Sequence, residues 1–155
     1  MLDDKRLGKQ RVEVLQILRA LTREKYGWQN HPVVRMWRGY EDALVAYGVA
    51  ICDEWTGRGY NDSVRVQLTE YTGGKDPPSQ AELARSGRLP PWLGNRQLHR
   101  SHRSALLRKD VAWYSRFFAA PEDLPYVWPV QRPDVPVPVQ NIKSEAGSGA
   151  QEEAV

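Results

Sequence analysis

The residues best suited to chemistry lie between positions 94 and 116. That stretch carries Arg96, Arg100, Arg103, Arg108, Lys109 and Arg116 against a single acid, Asp110. On an α-helix, at about 100° per residue, Arg96, His99, Arg100 and Arg103 fall within one arc about 100° wide. Leu98, Ala105 and Leu106 face the other way, with His102 beside them. A helix of this kind docks its apolar side on a core and offers guanidinium forks, each able to bond two phosphate oxygens at once. A solvated charged face produces the same pattern, and the two readings stay open at this point. Trp113 and Tyr114 follow directly and favour nucleic acid, because bases stack on such rings. The same aromatics also suit a core, and that is the expectation for Trp113.

Two carboxylates stand out. Glu13 shares the polar face of the first expected helix with Arg6, Lys9 and Gln16. It reads either as a surface ion pair with Lys9 or as a catalytic carboxylate in a cationic groove. In the second case it stays ionised and stabilises a developing positive charge. Glu41 is surrounded at helical spacing by Trp37, Leu44, Val45 and Gly48. A carboxylate there needs a partner, and a salt bridge to an arginine of another helix is expected. His99 and His102 stand three apart, but only His31 remains to help them, so no metal is expected. Cys52 is the only cysteine, which excludes an internal disulfide and a Cys-rich zinc site. No Ser/His/Asp order, phosphate-binding Gly loop or dinucleotide Gly pattern is visible.

The elements that must position these residues are mostly helical. Leu7, Val14, Leu18 and Leu21 predict a helix over 3–23, with Asp3 and Asp4 at its positive end. Asn30-His31-Pro32 opens a second, running to about Trp55 on a stripe of Val33, Trp37, Tyr40, Leu44, Tyr47 and Ile51. Gly39 and Gly48 inside it point to close approach of another element. Arg58-Gly-Tyr-Asn61 is a turn, Val64–Leu68 a possible strand, and Ser79 the cap of a short helix over Gln80–Ser86. Asn95 opens a third long helix to about Lys109, and Asp110 caps a last short one holding Trp113 and Tyr114. The expected fold is all-α: a compact irregular bundle of three main helices with long connecting loops, in a single domain over residues 1–128. Residues 129–155 alternate Pro and Val, then turn to Gly, Ser, Ala and Glu, the composition of a disordered Pro-rich and then acidic tail.

With 155 residues the chain has room for one core. Six Trp and seven Tyr against two Phe favour rings with polar handles. The net charge of +3 is uneven, +5 over residues 1–128 and −2 beyond. No apolar run approaches the roughly 20 residues of a membrane span, and no signal peptide is visible. A cytoplasmic protein is expected.

Five strings carry a resemblance. They are Leu2-Asp-Asp-Lys-Arg-Leu-Gly-Lys-Gln-Arg-Val-Glu13, Asn30-His-Pro-Val-Val-Arg-Met-Trp-Arg38, Pro90-Pro-Trp-Leu-Gly94, Leu98-His-Arg-Ser-His-Arg-Ser-Ala-Leu-Leu-Arg-Lys109 and Leu124-Pro-Tyr-Val-Trp-Pro129. Together they resemble a bacterial family that is itself remotely similar to the pyrimidine-dimer DNA glycosylases of the phage endonuclease V type. The remote link rests on Leu7 through Glu13, on Arg58-Gly-Tyr-Asn61 and on Trp113-Tyr114.

That resemblance implies a compact helical domain acting on damaged or modified bases in duplex DNA. It implies a glycosylase with associated AP lyase activity, serving base excision repair or phage defence. The nucleophile in such enzymes is the chain's own α-amine, which attacks the sugar carbon and forms a Schiff base. With a pKa of about 7.7–8.0, a good fraction of it is free base near neutral pH. Glu13 matches the carboxylate beside it. Arg6, Lys9, Arg96, His99, Arg100 and Arg103 would hold phosphates, with His31 and Arg35 lining the same groove. Duplex DNA is the implied partner, with no membrane, metal or organic cofactor. Relatives carry the amine on a short segment ahead of Leu2 that is missing from this chain, so catalysis is expected to depend on it. Two other readings remain: a DNA-binding module that has lost the nucleophile, and a protein-interaction domain.

Overall fold

A computed structural model describes residues 1–119, 121 and 123–129. These residues form seven α-helices and one 3₁₀ turn, with no strand among them. The long helices are α1 (Asp4–Thr22), α3 (Glu41–Gly57) and α6 (Arg96–Lys109). The short ones are α2 (Pro32–Trp37), α4 (Val64–Thr69), α5 (Gln80–Arg85) and α7 (Val111–Tyr114). The all-α reading holds, and so do the three main helices. All but Pro129 of the expected tail, 129–155, lies outside the described residues.

Local chemistry sets most of the helix starts. Asp3 caps α1 by accepting from the Arg6 amide at 3.0 Å. The His31 ring accepts from the Val33 amide at 3.1 Å and starts α2, with Pro32 in the first turn. Ser79 and Glu82 form a reciprocal capping box on α5. Asn95 accepts from the amides of Gln97 and Leu98, both at 3.0 Å, and opens α6. Asp110 accepts from the Trp113 amide at 2.9 Å and opens α7.

Four expectations are corrected. The second helix is not continuous to Trp55, because the chain turns at Arg38-Gly39-Tyr40 and restarts as α3. Gly39 has φ +82° with nothing near its missing Cβ, so it serves the turn rather than a close approach. The expected strand at Val64–Leu68 is α4. The Asp62 carboxylate accepts from the amides of Val64 (3.1 Å) and Arg65 (2.7 Å), which starts a helical turn. Val64 and Leu68, four apart, are then buried while Val66 is exposed. Glu41 accepts from the Gly39 amide at 3.0 Å, bracing the turn at the start of α3 instead of crossing the core to an arginine. Trp113, expected in the core, packs partly buried against the cluster of Leu106, Leu107 and fully buried Tyr114.

The main core joins Val14, Ile17 and Leu18 of α1 to Val33 and Val34 of α2, Leu44 and Val45 of α3, Leu68 of α4 and Leu98 of α6. Each such side chain contributes about 1.5–3 kcal/mol by leaving water. Gly48 lets α3 lie flat on α1 and α4. A Cβ there would stand 2.6 Å from Cγ1 of Val14 and 2.8 Å from Cδ1 of Leu68. Arg6, in the first turn of α1, reaches the last turn of α6, and Leu98, in the first turn of α6, joins the main core. Ser101 and Ser104 on α6 accept from the amides of Val127 and Leu124, both at 3.0 Å, and so carry the chain's described end back over that helix. No described helix is long and apolar enough to cross a membrane.

Candidate functional site

Glu13 is buried, with 5% of its side chain exposed, rather than on the open polar face expected of it. The burial follows from packing: α1 is covered by α2, α3 and α4 together, so its buried face is wider than the leucine stripe and takes in Gln10 as well. Lys9 Nζ stands 3.8 Å from Oε1 of Glu13, one turn earlier and partly open to solvent. From α3 the Tyr47 phenol faces the same region. Its pKa is pushed up to about 12, mainly by burial and further by the Glu13 charge. A buried carboxylate is therefore paired with an ammonium and lies near enough to the Tyr47 phenol for its charge to act on it. A surface ion pair would sit in water; this one lies at the seam between α1 and α3.

The basic arc of α6 is assembled as its spacing implied. Arg96, His99, Arg100 and Arg103 line one open groove of about 590 Å³, together with Gly94, Gln97 and Ala119. Leu98, Ser101, Ala105 and Leu106 face the core. Arg96, Arg100 and Arg103 are exposed and none forms an ion pair among the described residues. Arg103 lies over the Phe118 ring at 5.8 Å. His99 accepts from the Gly94 amide through Nε2 at 3.2 Å, so in the neutral ring Nδ1 is the donor left for a ligand. Arg6, Arg11, Arg58, Arg65 and Arg88, by contrast, are all engaged by carboxylates. That division is the electrostatic signature of an anion-binding face: fixed positive charge gathered where no acid among the described residues answers it.

The other expected DNA contacts are dispersed. Arg6 is bound by Asp3 at 3.1 Å and the Lys109 carbonyl at 3.0 Å, tying the start of α1 to the end of α6. His31 is spent on capping α2, and its ring packs 5.5 Å from Trp28 and 5.8 Å from Trp128. Arg35 is half-buried on α2. Neither Lys9 nor Glu13 lines the α6 groove. The structure thus shows a buried carboxylate on α1 and an open cationic groove on α6.

Sequence reasoning passed over the Arg11–Asp62 pair and the aromatic stack beside it. Trp55 stacks on Tyr60 at 4.1 Å, and the Arg11 guanidinium lies 4.8 Å from the Trp55 ring centre. A Cβ on Gly8 would meet the Trp55 ring at 2.9 Å, so glycine is what lets α1 rest on that ring. For Asp62, burial pushes the pKa up, but the amides of Arg65 and Val64 and the Arg11 guanidinium outweigh it and hold the carboxylate below its ordinary range. Cys52 is fully buried, and its thiol is pushed up to about 12 by burial first and by Asp62 next, so it is no nucleophile. No group of three or more metal-ligating side chains occurs among the described residues.

Residues 1–68 match the model of a family described as pyrimidine dimer DNA glycosylase. The resemblance drawn from the first helix holds over that segment, which contains Arg6, Lys9, Glu13, His31 and Arg35 and stops short of the α6 groove. No curated protein and no solved structure matches the chain.

Proposed function

We propose that this protein acts on duplex DNA as a glycosylase for damaged or modified bases, with associated AP lyase chemistry. The observation that carries the reading is buried Glu13, paired with the partly exposed Lys9, inside a segment that matches a pyrimidine dimer DNA glycosylase family. In this reading the α6 groove holds phosphates through Arg96, Arg100 and Arg103, with His99 offering Nδ1. The target base leaves the stack to react. An amine attacks the sugar C1′, the bond to the base breaks with its electron pair going to the base, and the C1′–O4′ bond then opens, its electron pair and a proton going to O4′, to leave a Schiff base. Glu13, ionised, offsets the positive charge that develops on the sugar and takes protons in turn. Loss of a C2′ proton then expels the 3′ phosphate. Substrate and chemistry both belong to the cytoplasm, and neither needs a metal or organic cofactor.

Geometry constrains the nucleophile. Glu13 lies nine residues beyond Asp4 on α1, about 14 Å along the axis at 1.5 Å per residue. An amine at the head of that helix does not meet it. The amine must arrive on a segment that folds back along α1. This favours one second reading, a DNA-binding module without catalysis.

Borohydride trapping separates the two. The protein is incubated with duplex DNA carrying an abasic site or a pyrimidine dimer, then reduced. A covalent adduct in the parent, lost in Glu13→Gln while DNA binding persists, supports the enzyme. A parent that binds duplex DNA and never forms an adduct leaves the binding module. A parent without salt-dependent DNA affinity removes both and leaves a protein-interaction domain.

A further inference from the structure

Two grooves meet at one turn of the chain. Leu93 lines an apolar groove of about 500 Å³, and the next residue, Gly94, lines the cationic groove of α6. Consecutive Cα atoms stand about 3.8 Å apart, so the two walls are a single residue from each other. The turn between them is braced. Trp92 donates from Nε1 to the Met36 carbonyl at 3.0 Å and packs edge-on against Trp37 at 4.8 Å. Gly94 takes a left-handed φ of +85° and gives its amide to His99.

The apolar groove is built from Trp37 and Tyr47, whose rings stack at 6.0 Å, with Ala50, Leu83, Pro90 and Leu93. Ala50 and Leu93 are exposed, so part of that apolar surface faces water. Elsewhere on its edge Arg65 is shared by Asp53 and Asp76, each at 2.8 Å. Two carboxylates against one guanidinium leave that edge negative. The Tyr47 phenol, on which the Glu13 charge acts, is part of the wall, so the groove adjoins the Glu13 site.

We propose that the two grooves together bind single-stranded DNA, with phosphates on Arg96, Arg100 and Arg103 and an unstacked base in the apolar groove. Apolar surface beside fixed positive charge suits single strands, because the backbone answers the charge and each freed base offers an apolar face. A duplex keeps its bases stacked and paired, and for it the cationic groove alone suffices. Charge sets the orientation. Three guanidiniums with no acid among the described residues draw phosphate to α6, whereas the Asp53–Arg65–Asp76 edge repels it and leaves the apolar groove to the base. The proposal rests on the DNA reading of the α6 groove and on no catalytic step.

Fluorescence anisotropy with three labelled probes of equal length tests it: oligothymidylate, an abasic sugar-phosphate strand and a duplex. Oligothymidylate should bind about tenfold more tightly than the abasic strand, as one base on such a surface contributes. The two strands should share one salt slope, since their phosphate contacts are the same. Leu93→Ser and Ala50→Gln are neutral changes at exposed positions. Each should remove most of the tenfold advantage and leave the salt slope and the duplex affinity at parent values. Equal affinity for the two strands, or an advantage that survives both substitutions, overturns the proposal and leaves the duplex reading standing. Binding of oligothymidylate without binding of duplex supports it and removes the duplex reading. Binding of none of the three probes overturns both.

Discussion

Arg6 donates through Nη2 to the carbonyl of Lys109 at 3.0 Å, bridging the first turn of α1 to the last of α6 across more than a hundred residues of sequence. The same guanidinium holds Asp3, which in turn accepts from the Tyr114 hydroxyl at 2.6 Å. A side chain so engaged is an internal tie, although its sequence neighbourhood marks it as a phosphate contact.

Arg6→Ala should therefore cost stability. Charged hydrogen bonds of this type contribute about 1.5–3 kcal/mol, and partial exposure of Arg6 brings the expected loss to about 1–2 kcal/mol. Urea unfolding measures it. The salt dependence of duplex DNA binding should be unchanged in the same variant; a flatter slope would place Arg6 on the DNA after all.

Arg100→Ala combined with Arg103→Ala should behave in the opposite way. Neither residue has an acidic partner among the described residues, so the fold should melt within about 0.5 kcal/mol of the parent, as surface changes usually do. Affinity for duplex DNA should fall, and the slope of log affinity against log salt should shrink by about 0.9 for each phosphate released, close to 2 in all. Arg88→Ala, whose guanidinium is held by Asp42 at 2.6 Å, is the matched control and should keep the parent slope. Equal slopes in all three proteins would remove the α6 groove from the DNA reading.

The contrast between Arg6 and Arg100 also shows what was legible in the sequence. Periodicity on one helix is a local property, and it placed Arg96, His99, Arg100 and Arg103 on one face without knowledge of the fold. Caps are local too, so Asp3, His31, Ser79, Asn95 and Asp110 were readable as helix starts. The partner of Arg6 lies on a helix distant in sequence, and no pattern within α1 announces it. Glu13 failed for the same reason: its burial is imposed by three other helices. The break at Gly39 was hidden because the apolar stripe resumes in phase beyond it. Val64, Val66 and Leu68 alternate as in a strand, and only the Asp62 carboxylate on two amides decides for a helix.

Two glycines of α3 should answer an alanine substitution differently. Gly48→Ala gains about 1 kcal/mol of helix propensity. It also drives a methyl to 2.6 Å from Val14 and 2.8 Å from Leu68, both fully buried, so the α1–α3–α4 seam must open. Overpacking of this kind costs about 1–3 kcal/mol, and a net loss of up to about 2 kcal/mol is expected. Gly57 has open space around its missing Cβ and an ordinary φ. Gly57→Ala should be neutral or up to about 1 kcal/mol stabilising. Thermal melts of the two variants check both signs.

Stability should decline on the alkaline side, and three groups set the window. Burial pushes the phenol of Tyr47 from 10.0 to about 12, with the Glu13 charge adding to it. Tyr114 moves over the same interval, through burial and its hydrogen bond to Asp3. The Cys52 thiol moves from 9.0 to about 12, through burial and Asp62. In each case the folded protein keeps a proton that the unfolded chain has already released. The unfolded state then binds fewer protons, so unfolding becomes easier as pH rises. The loss should begin near pH 9, where unfolded Cys52 titrates, steepen near 10 with the two tyrosines, and level off near 12. Below about pH 8 the three groups contribute no slope. Urea midpoints taken at intervals from pH 7 to 11 would show this, and Cys52→Ala should remove the earliest part of the decline while leaving the tyrosine part in place. A flat profile up to pH 11 would mean that these side chains exchange protons with solvent as freely folded as unfolded, which their burial does not allow.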